Sequence, residues 1–231
     1  EKLVLMEPYM DLYDRNNVYG PNRDFVKKEL YEDEALHLEV SKLKFRFMTD
    51  AQALLHGDLH TGSIFIRQDS TKIFDCEFGT YAPMGYDVGN VVANLIFAYD
   101  NGLSTDDGPF CDWCLKTIEE TVDLFIEKFG RKYDEAVTEP MAKVKGFKEW
   151  YFDGILKDTA GYAGTELHRR TVGMANVVDV TTIQDEKKRL LAERINILAG
   201  KEYIMNQGAF RTGADYVAAV LRAKEAAQKT L

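Results

Sequence analysis

The sequence predicts an α+β chain that is predominantly helical, and three features carry that prediction. Apolar residues recur at helical spacing through most of the chain, strand-like runs are confined to its first ten residues and to Ser63–Phe78, and glycines punctuate the helical stretches. The first element, Lys2-Leu-Val-Leu-Met-Glu-Pro8, is a short apolar run closed by a proline, which predicts a buried strand leading into a turn. After the Gly20-Pro21 break, Phe25, Val26, Leu30, Leu36, Leu38 and Leu43 predict helix from Asn22 to about Met48. Ile64-Phe65-Ile66 and Lys72-Ile73-Phe74 flank the polar stretch Arg67–Thr71 and predict a β-hairpin. Leu115, Ile118, Val122, Phe125 and Ile126 predict a helix over Asp112–Phe129 that stops at Gly130. Further helices are expected over Met141–Leu156, Tyr162–Val177, Glu186–Asn206 and Asp215–Ala227, with Gly161, Gly208 and Gly213 as breaks.

The 231 residues are 45% hydrophobic and 29% charged, enough to bury a core in one large domain. Acidic residues outnumber basic ones 38 to 29, a formal net charge of −9, which argues against a nucleic-acid partner. No run approaches the roughly 18 apolar residues of a membrane helix, and Glu1–Met10 lacks the layout of a signal peptide. A cytoplasmic protein with no membrane partner is expected. The three cysteines offer no disulfide framework; Cys111-Asp-Trp-Cys114 is a C-x-x-C, but it opens a helix and has no second pair to complete a zinc site.

The densest polar constellation is His56-Gly-Asp-Leu-His-Thr-Gly-Ser63. Its glycines permit tight turns and its polar groups can converge, with Asp58 the natural proton acceptor. His56 and His60 stand four apart as in a zinc helix, but Gly57 opposes that helix and no glutamate lies between them. Asp75-Cys-Glu77-Phe78-Gly79 follows the second hairpin strand. In an extended segment Asp75 and Glu77 point to one face, where their oxygens suit a hard cation such as Mg2+. Read alone, Asp75 is as readily a cap and Glu77 a solvated charge.

Together these segments resemble the aminoglycoside phosphotransferase and choline kinase superfamily, relatives of the protein kinases. Three stretches in order are similar to the methylthioribose kinases within it: His56–Ser63, Asp75-x-Glu77-Phe78 continuing to Tyr81-Ala-Pro-Met-Gly-Tyr-Asp87, and Arg169-Arg170-Thr-Val-Gly-Met-Ala-Asn176. The likeness runs from about Leu3 to Gln207. It implies the C-terminal lobe of a protein-kinase-like fold, with residues 1–10 as the interlobe hinge strand, residues 11–231 as the helical lobe and the hairpin leading to the metal ligands. No glycine-rich loop followed by a strand lysine occurs, so the N-terminal β-rich lobe is expected to be absent from this chain.

The resemblance further implies phosphorylation of the anomeric hydroxyl of S-methyl-5-thioribose in methionine salvage, with ATP as co-substrate, Mg2+ as cofactor and a homodimer as the assembly. By position, Asp58 corresponds to the catalytic aspartate, Asp75 and Glu77 to the metal ligands, and Arg169 and Arg170 to a substrate-binding arginine pair. The backbone of Met6, Glu7 and Pro8 is placed at the nucleotide, as are His60 and Ser63. Ser63 stands where many members carry a second metal-binding asparagine, and Cys76 where a proline is commoner. His56 and Asp87 are expected to support the loop, Asp87 by accepting backbone hydrogen bonds. Met84 and Tyr86 are candidates for the methylthio pocket or for packing alone. Adjacent helical arginines diverge by about 100°, so both cannot face one point equally, and such a pair, read alone, is usually a solvated face. Other acceptors on the same fold (an aminoglycoside, choline or homoserine) and a non-catalytic interaction lobe are the competing readings.

Overall fold

A computed structural model describes residues 1–231. Ten α-helices and four short strands make a predominantly helical α+β fold. The N-terminal part comprises α1 (Lys2–Leu5), α2 (Glu7–Met10), α3 (Arg23–Val26) running into a π turn at Lys27–Tyr31, and α4 (Glu34–Thr49). Next come β1 (Ala53–Leu55), β2 (Ile64–Arg67), β3 (Ser70–Ile73) and β4 (Thr80–Ala82). The bundle follows: α5 (Gly85–Ser104), α6 (Gly108–Ala136), α7 (Phe147–Val172), α8 (Val178–Thr181), α9 (Glu186–Met205) and α10 (Gly213–Gln228).

Several helix starts are written in the sequence as caps that satisfy otherwise orphaned N–H groups. Asp33 accepts from Leu36 N–H, Asp107 from Phe110 N–H and Asp185 from Lys188 N–H, while Thr212 and Asp215 form a reciprocal capping box. The cap at Asp33 also explains why the segment expected as one helix from Asn22 is divided before α4. The hairpin is present as β2 paired antiparallel with β3, Ile64 opposite Ile73. A second pair, β1 with β4, was not anticipated, because three residues are too few for an alternating pattern.

The expected strand at Lys2–Pro8 is two helical turns instead. β1 and β4 pair with each other, so this segment has no strand partner, and its backbone closes locally: Leu5 N–H donates to Glu1 O and Tyr9 N–H to Met6 O. Its apolar side chains Val4 and Leu5 are still buried, against α4 and α7.

Two predicted helix ends at glycine are absent, and at Gly161 the glycine marks close packing instead. The helix expected to stop at Gly130 continues to Ala136, and beyond the glycine Tyr133 packs against Tyr151 and Phe152. Gly161 sits inside α7, where a Cβ would lie 2.6 Å from Leu43 Cδ2. α7 is therefore one continuous helix where two were expected, and residues 173–177 lie beyond its end. Gly85 and Gly89 of α5 abut the α7 backbone, a Cβ at Gly89 falling 2.7 Å from Ala163 N. Gly164 of α7 meets α9, where a Cβ would fall 2.4 Å from Gly200 O. α5, one of the largest contributors to the core, was missing from the expected helices.

One core lies among α5, α6, α7, α9 and α10, and a second joins the N-terminal helices to β1, β4 and the inner faces of α7 and α9. Cys111 and Cys114 are free thiols buried in the first core, and burial pushes both up, Cys114 to about 11, so neither has the character of a reactive thiolate. His168 is buried, its Nε2–H donating to Ile197 O and its Nδ1 accepting from Tyr9 Oη, at 3.0 Å each, and burial lowers it to about 4.

Asp158 of α7 is fully buried, with Oδ2 accepting from Arg46 Nη2 at 2.7 Å and Oδ1 without a partner. Burial outweighs Arg46 and raises the carboxyl to about 7.

The glycine crossings predict opposite signs for two similar substitutions. Gly164→Ala should destabilise by about 1–3 kcal/mol through overpacking against α9. Gly154→Ala, with nothing within 4 Å of the added Cβ, should stabilise by about 0.5–1 kcal/mol through helix propensity. Urea midpoints at constant slope decide both. Asp158 predicts a pH dependence: the folded protein keeps a proton that the unfolded chain, with a value near 3.8, has released. Stability should fall as pH rises from about 4 to 7, by roughly 2–4 kcal/mol relative to Asp158→Asn, and level off above. Parallel curves for the two proteins across that window would show that Asp158 does not retain its proton.

Candidate active site

The candidate site is assembled at one end of the β1–β4 pair. Leu55 lies opposite Thr80, so the chain leaving β1 and the chain entering β4 run side by side. The polar loop 56–63 and the segment 74–79 are thereby neighbours, joined where His56 Nε2 meets Phe74 O at 2.7 Å. Gly57 has φ +87°, and a Cβ there would stand 2.2 Å from Phe78 O. Only glycine fits that backbone and that approach.

Asp87, in the first turn of α5, fixes the start of the loop. Its Oδ2 accepts His56 N–H at 2.7 Å and its Oδ1 accepts Gly57 N–H at 3.1 Å. Burial raises its carboxyl despite those two bonds. The next residue, Asp58, lies beside the C-terminal end of α7. Asp58 Oδ1 accepts from Arg169 Nη1 at 3.1 Å and from Arg170 Nη2 at 3.4 Å. The expected divergence of adjacent arginines does not keep them apart at their tips. Glu166, one turn earlier, takes one guanidinium on each oxygen: Arg169 Nη1 at 3.0 Å and Arg170 Nε at 3.0 Å. For Arg169, burial alone would favour loss of the proton, but Glu166, Tyr86 and Asp58 overcome it and hold the guanidinium above its usual range.

A cleft of about 330 Å³ opens beside these groups, at the small end for a ligand site. Asp58, Arg169, Glu1 and Thr80 give its polar lining, and Leu3, Val4, Phe47, Phe78 and Tyr86 are among its apolar walls. Tyr86 is held between Phe47 and Tyr162, ring centroids 5.0 and 5.4 Å away, and burial raises its hydroxyl. Met84 is outside this lining and is tied to Gln52 through its backbone N–H.

Other expected site residues are placed differently. Asp75 adopts φ +68° and Glu77 lies in a turn, so the extended geometry that would put both on one face is absent, and the hairpin ends two residues before Asp75. Both carboxylates are exposed, and no third His, Cys, Asp or Glu joins them in a group that could hold a metal. Two free carboxylates suit Mg2+, which takes one or two from the protein and completes its shell with water and phosphate oxygens. Ser63 is buried and its Oγ meets His60 Nε2 at 3.2 Å, so each engages the other.

Around Met6–Pro8 the backbone groups turn inward. Met6 N–H donates to Lys2 O, and Glu7 O accepts from Asp11 N–H and Asn16 Nδ2. Glu7 and Pro8 are buried, with Glu7 bound to Arg15. The cleft is instead faced by the residues just before them.

Sequence reasoning missed Glu166 and Phe47. Glu166 had a signal, since a carboxylate three and four positions before two arginines lies on their helix face. Phe47 had none beyond ordinary apolar spacing.

Residues 14–110 match the phosphotransferase enzyme family (APH). The chain is 39% identical over 207 residues to a methylthioribose kinase from Geobacillus sp. (strain WCH70), covering 90% of this chain and 50% of that protein. It is 37% identical over 216 residues to the methylthioribose kinase of Geobacillus kaustophilus (strain HTA426), covering 94% and 53%. The corresponding enzyme of Bacillus cereus (strain B4264) is 38% identical over 204 residues, covering 88% and 50%. The chain thus spans about half the length of the curated relatives it matches. Residues 14–110 are thus similar to the phosphotransferase enzymes, and the chain is similar to the methylthioribose kinases over some nine-tenths of its length.

Proposed function

We propose that the protein of which this chain is part transfers the γ-phosphoryl group of ATP to the anomeric hydroxyl of S-methyl-5-thioribose, a step of methionine salvage, as a cytoplasmic homodimer. The observation that carries this is the convergence of Arg169 and Arg170 on the carboxylate of Asp58 at the polar side of the cleft. Phosphoryl transfer requires little covalent chemistry from a protein; it requires a held hydroxyl and positive charge beside the moving oxygens. In this reading Asp58 orients the sugar hydroxyl and takes its proton, and the two guanidiniums face the transferring group. Asp75 and Glu77 would hold Mg2+, which neutralises phosphate charge when bound. The apolar walls formed by Phe47 and Tyr86 suit a methylthio group. The adenine side was expected at the backbone of Met6–Pro8; of that N-terminal segment Leu3 and Val4 reach the cleft, and this reading puts adenine against them instead. His60 and Ser63 support the loop from within; Ser63 is covered, whereas His60 keeps its Nδ1 for a further partner. The similarity to methylthioribose kinases supports the choice of acceptor over choline or an aminoglycoside.

In the full-length protein, Asp58→Asn should lower methylthioribose-dependent turnover by about two to four powers of ten while ATP affinity stays near wild type. Near-normal turnover would remove Asp58 from the mechanism. Equal or faster turnover of choline or an aminoglycoside by the wild-type enzyme would replace the acceptor. Asp87→Ala leaves two backbone N–H groups without their acceptors, so it should cost about 1–3 kcal/mol of stability. It should also cut kcat about tenfold or more by releasing Asp58. Melting curves and steady-state kinetics on one preparation check both, and a stability loss without a rate loss would confine Asp87 to the fold.

A further inference from the structure

We propose that Glu166 is a positioning residue for phosphoryl transfer: its buried carboxylate gathers Arg169 and Arg170 to one point beside Asp58. This rests on the reading of Asp58 and the arginine pair given above. Adjacent residues of a helix leave its axis about 100° apart, so two neighbouring arginines have no intrinsic reason to meet. Glu166 stands three residues before one and four before the other, the two spacings that share a helix face. Its oxygens divide the task. Oε2 accepts from Arg169 Nη1 and Oε1 from Arg170 Nε, each at 3.0 Å, which leaves Arg169 Nη1 and Arg170 Nη2 directed at Asp58 Oδ1.

Burial distinguishes the two carboxylates. The Glu166 side chain is 1% exposed and that of Asp58 is 17% exposed at the cleft. A ligand entering the cleft reaches Asp58 and can replace it at the guanidiniums, whereas Glu166 stays covered. When Asp58 turns to a hydroxyl, Glu166 is the anion that keeps two adjacent cations from repelling each other apart. A buried charge without its partner is costly, so carboxylate and arginines hold each other in place.

The test uses the full-length protein with Glu166→Gln, which keeps the size of the side chain and removes its charge. Turnover of methylthioribose should fall about 10- to 100-fold and its KM rise severalfold, with ATP affinity unchanged. Glu166→Asp restores the charge but is one methylene too short to bridge both guanidiniums; it should recover melting temperature more than kcat. In an Arg169→Ala/Arg170→Ala background, adding Glu166→Gln should cost no further kcat, because Glu166 acts only through the arginines. A further loss there, or near-normal kcat and KM in Glu166→Gln alone, overturns the proposal.

A readout independent of substrate is the Arg170 Nε–H signal in 15N-resolved NMR. It should be slowly exchanging in the wild type and merge with the mobile arginines in Glu166→Gln, and its persistence likewise overturns the proposal. If the wild-type enzyme does not phosphorylate methylthioribose, the acceptor reading fails while this signal still decides the clamp. Should Glu166→Gln fold poorly, the arginine-free background decides the point. There the carboxylate has no cation, and its replacement should raise the melting temperature if the arginines are its partners.

Discussion

The separation between α5 and α7 is the constraint on which the candidate site depends. α5 carries Asp87, which holds the backbone of His56 and Gly57 and so sets where Asp58 lies. α7 carries Glu166, Arg169 and Arg170, which meet Asp58 from the other side. The contact between a loop aspartate and two arginines more than a hundred residues later is thus fixed by how closely two helices pack. That distance is set by Gly85 and Gly89, whose missing side chains admit the α7 backbone. Gly164 does the same between α7 and α9, so α7 is gripped on two faces and its C-terminal end has little freedom to drift.

Electrostatics in the bundle follow from where each charge stands relative to that packing. Asp158 is deep in the α5–α7 crossing region, receives a single guanidinium on one oxygen, and retains a proton up to about pH 7. Glu166 is almost as buried but receives a guanidinium on each oxygen. The two carboxylates thus differ in the number of cations within reach. Two arginines in sequence therefore serve a structural need of Glu166 while Arg169 presents positive charge to the cleft.

The fold was legible where the signal is local. Helical spacing and glycine breaks marked α9 and α10 to within a residue or two, and the Ile64–Ile66 and Lys72–Phe74 runs marked the hairpin. It was misread where glycine has a tertiary purpose. Gly161 has the local chemistry of a helix end, and only Leu43 packed against it shows otherwise, while Gly130 is simply carried inside α6. Residues 2–8 have strand composition without a strand to pair with, a fact that no local pattern contains. At the site, the polar loop was visible as an unusual cluster, but the arginine pair, read alone, was a solvated face, and the motif resemblance singled it out. The D-x-E segment was visible too, yet the inference about its shared face assumed an extended backbone that Asp75 does not adopt.

A cluster of two guanidiniums and two carboxylates has a property that a single ion pair lacks. The desolvation cost of bringing charges under the protein surface is set by what remains unpaired, and here each arginine has two anionic partners of unequal accessibility. Withdrawing Asp58 leaves each guanidinium still bonded to Glu166. Under the proposed function, the incoming phosphoryl oxygens take the position Asp58 gives up, and Asp58 takes the acceptor hydroxyl. Charge pairing is exchanged across the cleft, while the buried half of the cluster keeps its geometry throughout. Preorganisation of this kind is where electrostatic catalysis gains most, because the donors need not reorient as charge moves. An arginine pair anchored only by Asp58 would lose its anchor at the moment the reaction needs it held.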